Sequence, residues 1–187
     1  MEKARKSRLN KKVLTILLTA ICLLSICVGA TLAILTSVSG PLENVFTVGN
    51  IGLELTETTG SSYQLIPGKT HNKDPKITVM GGSESCWLFA KITKSSNFDD
   101  YMSYELNDGW THLGGYDGVY YRSVDGSDIN QYFYILKNNS ITVKDNLTEE
   151  KASAISALPT ITFSAYAVQS HSVETASEAW HLILKEG

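Results

Sequence analysis

The sequence predicts a mainly β protein: an antiparallel, jelly-roll-like β-sandwich with a few short helices, preceded by an N-terminal signal or transmembrane helix. Three observations predict this class. Many short runs alternate apolar with polar residues, which is the period of half-buried strands. Turn signals rich in glycine, proline and asparagine separate these runs, and strands do not alternate with long helices as they do in parallel sheets. A basic N-terminus is followed by a long uncharged apolar run.

The beginning of the chain has the layout of an export signal. Residues 1–12 are basic, and residues 13–35 are apolar and contain no charged side chain. The apolar run is long enough to cross a bilayer core of about 30 Å, so its length does not separate a cleaved signal from a retained anchor. Thr31 and Ala33 supply the small side chains that signal peptidase reads, so we expect cleavage between Ala33 and Ile34.

These signals divide the chain into a signal peptide or membrane anchor (1–33), an N-terminal extension (34–48) and a β-sandwich domain (49–187). Removing the first segment takes away 6 of the 16 Lys and Arg residues and 1 of the 19 Asp and Glu residues. The rest of the chain then has 10 basic and 18 acidic residues, a net charge of −8. Such a domain has no electrostatic reason to bind nucleic acid, and we expect membrane contact only through the N-terminal segment.

Cysteine usage indicates that the domain has no internal disulfide. Cys22 and Cys27 lie in the apolar run, which leaves Cys86 as the one thiol of the expected mature chain. A single thiol cannot form an internal disulfide, so the core alone must hold the domain together. Because Cys86 begins a strongly apolar stretch, we predict that it is a small buried hydrophobic residue.

The strands are predicted from alternation and from β-branched and aromatic content. Residues 45–57 form two arms around a bend at Gly49 and Gly52, where glycine is typical of a bulge or close approach. The further predicted strands are residues 76–80, 86–93, 101–106, a short strand around Trp110, 119–124, 132–137, 140–144 and 160–169.

Two local patterns make more specific predictions about these strands. Asn138 and Asn139 tolerate positive φ, and their place between two strands predicts a two-residue hairpin turn. The last strand alternates well, so one of its faces should be buried. The residues on that face are Ile161, Phe163, Ala165 and Ala167.

Two helices are predicted near the end of the sequence. Residues 148–158 read as a short helix with Thr148 as N-cap, stopped before Pro159. Thr175 and Glu178 have the spacing of a capping box, which predicts the start of a terminal helix. Its apolar stripe is expected to consist of Ala176, Trp180, Ile183 and Leu184.

No motif typical of an active site is found. No His-Glu-x-x-His pair, serine elbow or phosphate-binding glycine loop occurs. We therefore predict no catalytic residue, no cofactor and no metal site, although ligands brought together from separate strands stay open. The histidines, expected to be loop or surface residues, are His71, His112, His171 and His181.

Several segments, taken in order, resemble one family. Residues 29–33, followed after a short spacer by residues 44–55, resemble the start of the TasA and camelysin family. Residues 77–92 resemble the next strand pair of that family. Residues 165–169 and 175–180 are similar to its last strand and short helix.

The resemblance implies a jelly-roll domain that is exported by a SipW-type signal peptidase in Gram-positive bacteria. It implies self-association into fibres of the biofilm matrix, or association with related matrix proteins. In such fibres the N-terminal strand freed by signal cleavage inserts into the neighbouring subunit, as in β-strand addition. The donor here would be residues 34–46, although Pro41 removes a ladder donor and these residues could instead be a simple linker. The apolar side chains of this candidate donor are Ile34, Leu35, Val38, Leu42, Val45 and Phe46.

Three functions follow from the sequence as hypotheses. The first is a secreted, cell-surface-associated structural protein of the extracellular matrix that assembles by donor-strand exchange. The second is a camelysin-like secreted metalloprotease, as some relatives are described, although the usual zinc motif is absent from this sequence. The third is a surface binding module that keeps residues 13–35 as a membrane anchor.

Overall fold

The computed structural model of the protein describes residues 37–38, 42–59, 63–148, 155 and 157–186. Across these residues the chain is mainly β, with several sheets and few helices, which confirms the predicted class. The export segment, the expected cleavage pair and most of the predicted helix at 148–158 lie outside the described residues. No helix in the described part is long and apolar enough to cross a membrane.

The described strands are numbered in chain order. They are β1 Ser37–Val38, β2 Leu42–Val48, β3 Leu53–Thr56, β4 Tyr63–Gln64, β5 Thr70–Asn72, β6 Lys76–Val79, β7 Cys86–Lys94, β8 Met102–Ser103, β9 Thr111–His112, β10 Val119–Val124, β11 Gln131–Tyr134, β12 Ser140–Val143 and β13 Ile161–Gln169. The helices are Phe98–Tyr101 and Ala176–Glu186, and the 3₁₀ turns are Lys137–Asn139 and Ser170–Ser172.

The described strands form four sheets. A five-stranded sheet has the order β2-β13-β7-β10-β9, two three-stranded sheets have the orders β11-β6-β3 and β5-β12-β8, and β1 pairs with β4. The predicted antiparallel arrangement holds for each described pair except one, because β2 runs parallel to β13. Parallel neighbours need a long connection, and here the whole domain between β2 and β13 supplies it.

The five-stranded sheet is covered by apolar residues on both faces. The face predicted from the alternation of β13 is buried, with each of its four side chains at most 1% exposed. It packs with alternate residues of β7 against the three-stranded sheets. Cys86 lies in this cluster as a free, fully buried thiol, and burial raises its pKa to about 11. The prediction of a buried hydrophobic residue at Cys86 is confirmed.

The C-terminal helix covers the opposite face. Trp180 lies at the centre of this contact, with its ring centroid 5.1 Å from that of Phe89 and 5.2 Å from that of Tyr166. The predicted capping box is present, since Thr175 N–H donates to Glu178 Oε2 and Glu178 N–H donates to Thr175 Oγ1, each at 3.2 Å. These two bonds satisfy backbone donors that the first helical turn leaves unpaired.

The prediction of the apolar stripe is wrong for one residue, Leu184. Leu184 is 54% exposed, whereas Leu182 is half-buried and packs against the cluster around Trp180. Both positions are adjacent to the buried Ile183, so sequence periodicity alone does not decide which flank turns toward the sheet.

The predicted hairpin at Asn138 and Asn139 is also wrong, although both residues have positive φ, at 54° and 49°. β11 pairs with β6, whereas β12 pairs with β5 and β8, so the two strands belong to different sheets. The asparagines form a 3₁₀ turn that carries the chain between those sheets. A local preference for positive φ permits either path, and on the path taken Ile141 and Val143 are fully buried.

The predicted strand at 101–106 is shorter than expected. The helix Phe98–Tyr101 occupies its beginning, and only Met102–Ser103 is a strand. Phe98 begins the helix and Met102 begins the strand, and both side chains are fully buried. The demand for buried apolar surface therefore outweighs the alternation that the sequence shows.

The contact between helix and sheet yields a stability prediction. Trp180→Ala should lower the free energy of unfolding by about 3–5 kcal/mol, because it leaves a cavity between the helix and three aromatic rings. Leu184→Ala is the matched control on the same helix, and its exposed side chain should change stability by less than about 0.5 kcal/mol. Urea denaturation measures the free energy of unfolding of both variants. Equal losses in the two variants would show that the helix does not depend on Trp180.

Candidate assembly edge and the adjoining polar cluster

The residues predicted to form the donor strand are divided between described and undescribed parts of the chain. Ile34 and Leu35, with the preceding Ala33, lie outside the described residues. Val38 belongs to β1 and pairs with Tyr63 of β4. The other three belong to β2, and they are Leu42, Val45 and Phe46.

β2 lies at one edge of the five-stranded sheet. Its described pairing is with β13, with Val45 opposite Ala165 and Val48 opposite Val168. The register shifts between Phe163 and Ala165, which fixes β2 against one particular stretch of β13. An edge strand has one side on which backbone N–H and C=O groups are free of the sheet, and such strands are natural sites for pairing between chains.

The two faces of β2 differ in their contacts. Phe46 and Val48 pack against the apolar cluster around Trp180, on the helix side of the sheet. Val45 points to the other face and is 43% exposed. Residues 45–48 of β2 are therefore held by backbone pairing with β13 and by the packing of Phe46 and Val48.

The bend that joins β2 to β3 requires glycine. Gly49 has φ +104°, and a Cβ atom there would lie 2.8 Å from the Cβ and Oε1 atoms of Gln169. Gly49 C=O accepts a hydrogen bond from Ile51 N–H at 3.1 Å, which closes a tight turn. Because this bend separates β2 from β3, β2 could leave β13 together with β1, which pairs with β4.

A second feature lies beyond the far end of β3, where two loops meet in a polar cluster. Lys73 is 1% exposed, and its Nζ lies 2.6 Å and 2.8 Å from the two carboxylate oxygens of Glu57. The rings of Tyr63 and Phe163 flank the ammonium group, each with its centroid 5.6 Å from Nζ. Burial is the main cause that raises the pKa of Tyr63 to about 12.

Asp74 holds the two loops together. Its carboxylate accepts hydrogen bonds from the backbone N–H and the hydroxyl of both Thr58 and Thr59, at 2.5–3.0 Å. Burial acts to raise the pKa of Asp74, but these four hydrogen bonds favour the ionised form and the net effect lowers the pKa below 3.8. The sequence reveals none of this cluster, because isolated charges in polar loops read as solvated residues.

Comparisons with protein-family models, with curated proteins and with solved structures found no match for this chain. Within the described ranges, no three His, Cys, Asp or Glu side chains gather where they could hold a metal ion. His71 contacts the Gln64 carbonyl oxygen at 2.7 Å, and His181 contacts the Tyr116 hydroxyl at 3.0 Å. The two features that stand out among the described residues are the strand edge at β2 and the buried polar cluster around Lys73.

The bend at Gly49 should be intolerant of substitution. Gly49→Ala places a Cβ in the left-handed region and against Gln169, and we expect a loss of about 1–3 kcal/mol in the free energy of unfolding. Gly114→Ala is the control, since Gly114 has no heavy atom within 4 Å of an added Cβ and does not have positive φ. Urea denaturation of the two variants gives the free energies of unfolding to be compared. Similar stabilities would mean that the bend does not constrain β2.

Asp74 predicts a dependence of stability on pH. Its folded pKa is lowered, so its contribution is present above the unfolded value and is lost as the pH falls through the folded value. Asp74→Asn should therefore be less stable than the unaltered chain near neutral pH. The difference in stability between the two should narrow as the pH falls below 3.8. Thermal unfolding across this range measures it, with the exposed Asp128→Asn as control. A gap that stays constant with pH would contradict the assignment.

Proposed function

We propose that this protein is a secreted structural subunit of an extracellular matrix at the cell surface, and that copies assemble into fibres by exchanging strand β2. The proposal rests on the export signal, on the resemblance to the TasA and camelysin family and on the position of β2. It includes the finer fold assignment, a jelly-roll sandwich in which the five-stranded sheet faces the three-stranded sheets.

The single observation that carries the proposal is the terminal, edge position of β2 on β13. β1 and β2 could leave β4 and β13 of their own chain and pair with β4 and β13 of a neighbour, while β3 to β13 keep their contacts with one another. Each chain would then donate its β2 to one neighbour and accept the β2 of another neighbour at the edge of its β13. Such a head-to-tail contact does not close on itself unless the rotation between copies makes a ring, so it produces open filaments.

Exchange is energetically plausible because it replaces contacts with identical ones. The pairing of β2 with β13 and the packing of Phe46 and Val48 are the same whether the two strands belong to one chain or to two. The difference in free energy therefore comes from chain concentration and from the conformation at Gly49. Domain swapping of this kind is a low-cost route to assembly.

A disulfide between β2 and β13 tests the exchange directly. Val45 and Ala165 are register partners in neighbouring strands, where Cα atoms lie about 5 Å apart, within the range for a disulfide. In V45C/A165C, oxidation before assembly should lock β2 onto its own chain and abolish fibres in electron micrographs. Assembly under reducing conditions followed by oxidation should give a ladder of linked multimers on a non-reducing gel.

The controls use the same chain, beginning at Ile34 as the expected product of cleavage. The single substitutions V45C and A165C should give no ladder. Cys86 does not compete, because it is fully buried and its raised pKa keeps the thiol protonated. The proposal is wrong if the locked chain still forms fibres, or if assembled chains oxidise only within single subunits.

Two further measurements separate this proposal from the other hypotheses. N-terminal sequencing of extracellular protein should give a start near Ile34, whereas a surface module anchored by residues 13–35 would keep its N-terminus. A camelysin-like protease would contain bound zinc and digest casein in a chelator-sensitive way. Metal analysis and a casein assay of the purified protein measure both properties.

A further inference from the structure

The contact between Lys73 and Glu57 brings an amine and a carboxyl group together with little access to water. Lys73 is among the largest fully buried side chains of the described residues, and the Glu57 side chain is only 7% exposed. Both oxygens of Glu57 lie within 2.8 Å of Lys73 Nζ, so Nζ is centred on the carboxyl group. We propose that these two side chains are joined by an amide bond between Nζ of Lys73 and Cδ of Glu57, formed after folding.

Burial gives the amide an advantage over the ion pair. Two charges held out of water carry a desolvation cost that their mutual attraction offsets only in part. An amide bond removes both charges at once and leaves one polar N–H and one C=O. The aromatic rings of Tyr63 and Phe163 beside Nζ provide the apolar surroundings in which this difference counts.

The reaction is a condensation that needs no oxidant or outside reactant. A proton passes from the Lys73 ammonium group to the Glu57 carboxylate, which leaves a neutral amine and a neutral acid. The amine lone pair attacks Cδ, and the new N–C bond gives a tetrahedral intermediate. A proton then moves from nitrogen to one hydroxyl, the C–O bond breaks, and one water molecule leaves.

Two hydroxyl groups lie near the Glu57 carboxyl group, but the Thr59 hydroxyl donates its proton to Asp74 and the Tyr63 hydroxyl donates to the Thr59 carbonyl oxygen, each at 2.8 Å. The Tyr63 hydroxyl lies 3.3 Å from Glu57 Oε1, and the Thr59 hydroxyl lies 3.4 Å from the same atom. Tyr63 keeps its proton because burial raises its pKa to about 12. Holding the amine and the carboxyl group in one place lowers the activation barrier substantially, since effective molarities for oriented groups reach about 10⁵–10⁸ M.

The bond would link two adjacent strands at one end. Thr56, the last residue of β3, is paired with Lys76, the first residue of β6, and the cross-link would lie just beyond this pair. β3 is also the first strand after the bend at Gly49. In a fibre, tension entering through β2 would reach β3 and pass to β6 through the amide. This mechanical role rests on the proposed function, whereas the bond itself does not.

Tandem mass spectrometry of a tryptic digest tests the bond. The full chain is purified from cells that express it, denatured and digested. We expect a branched product in which the peptide with Glu57 is joined to the peptide with Lys73, lighter than the two together by one water molecule. We also expect no cleavage after Lys73. Separate peptides of full mass would show an ion pair only and would overturn the proposal.

The chain supplies a matched internal control. Lys94 Nζ lies 2.6 Å from an Asp99 oxygen, the same separation as in the buried pair, but these side chains are 30% and 67% exposed. This pair should give no branched peptide in the same digest. Lys73→Arg keeps the positive charge without a reactive amine, so its digest should be cut after position 73 and lack the branched product. Because the test reads mass and not assembly, its outcome is independent of fibre formation.

Discussion

The pairing of β7 with β13 is the constraint on which the rest of the structure depends. The two strands share a nine-residue antiparallel register from Ile161 opposite Lys94 to Gln169 opposite Cys86. Alternate side chains of β13 enter two different apolar clusters, so the pair is buried on both sides. The three-stranded sheets pack on one face and the C-terminal helix on the other. β10 takes the outer edge of β7, and β13 keeps one edge open for β2.

β2 pairs with the edge of β13 that β7 leaves open. A strand as apolar as β13 with an uncovered edge would pair with any available backbone, which is an aggregation hazard. β2 covers that edge, and the register shift near Phe163 makes the fit specific to one alignment. Within residues 45–48 of β2, Phe46 and Val48 pack against the apolar cluster around Trp180. Pairing in one specific alignment is what the proposed strand exchange would require.

Elements with strong local signals could be predicted from sequence, and elements that depend on distant partners could not. The bounds of β7, β10 and β13 follow from runs of apolar and aromatic residues, and the capping box at Thr175 follows from spacing. β4 and β5 are too short to carry a pattern. The sheet assignment of the strands around Asn138 and the parallel pairing of β2 depend on burial across the whole fold. Lys73 and Glu57 are 16 residues apart in polar loops, so no local rule joins them.

The positions of Gly49 and Glu57 give β3 two distinct ends. At its start, β3 is connected to the strand that would leave the subunit, through a bend that only glycine can make without strain. At its end, Glu57 and the Asp74 bonds to Thr58 and Thr59 tie it to the loop before β6. A pull on β2 acts on β3 along its length, and the ladder to β6 resists by shear of four residue pairs. The loops at the far end would bear the same load, and the contact between Lys73 and Glu57 lies among them with side chains only 1% and 7% exposed.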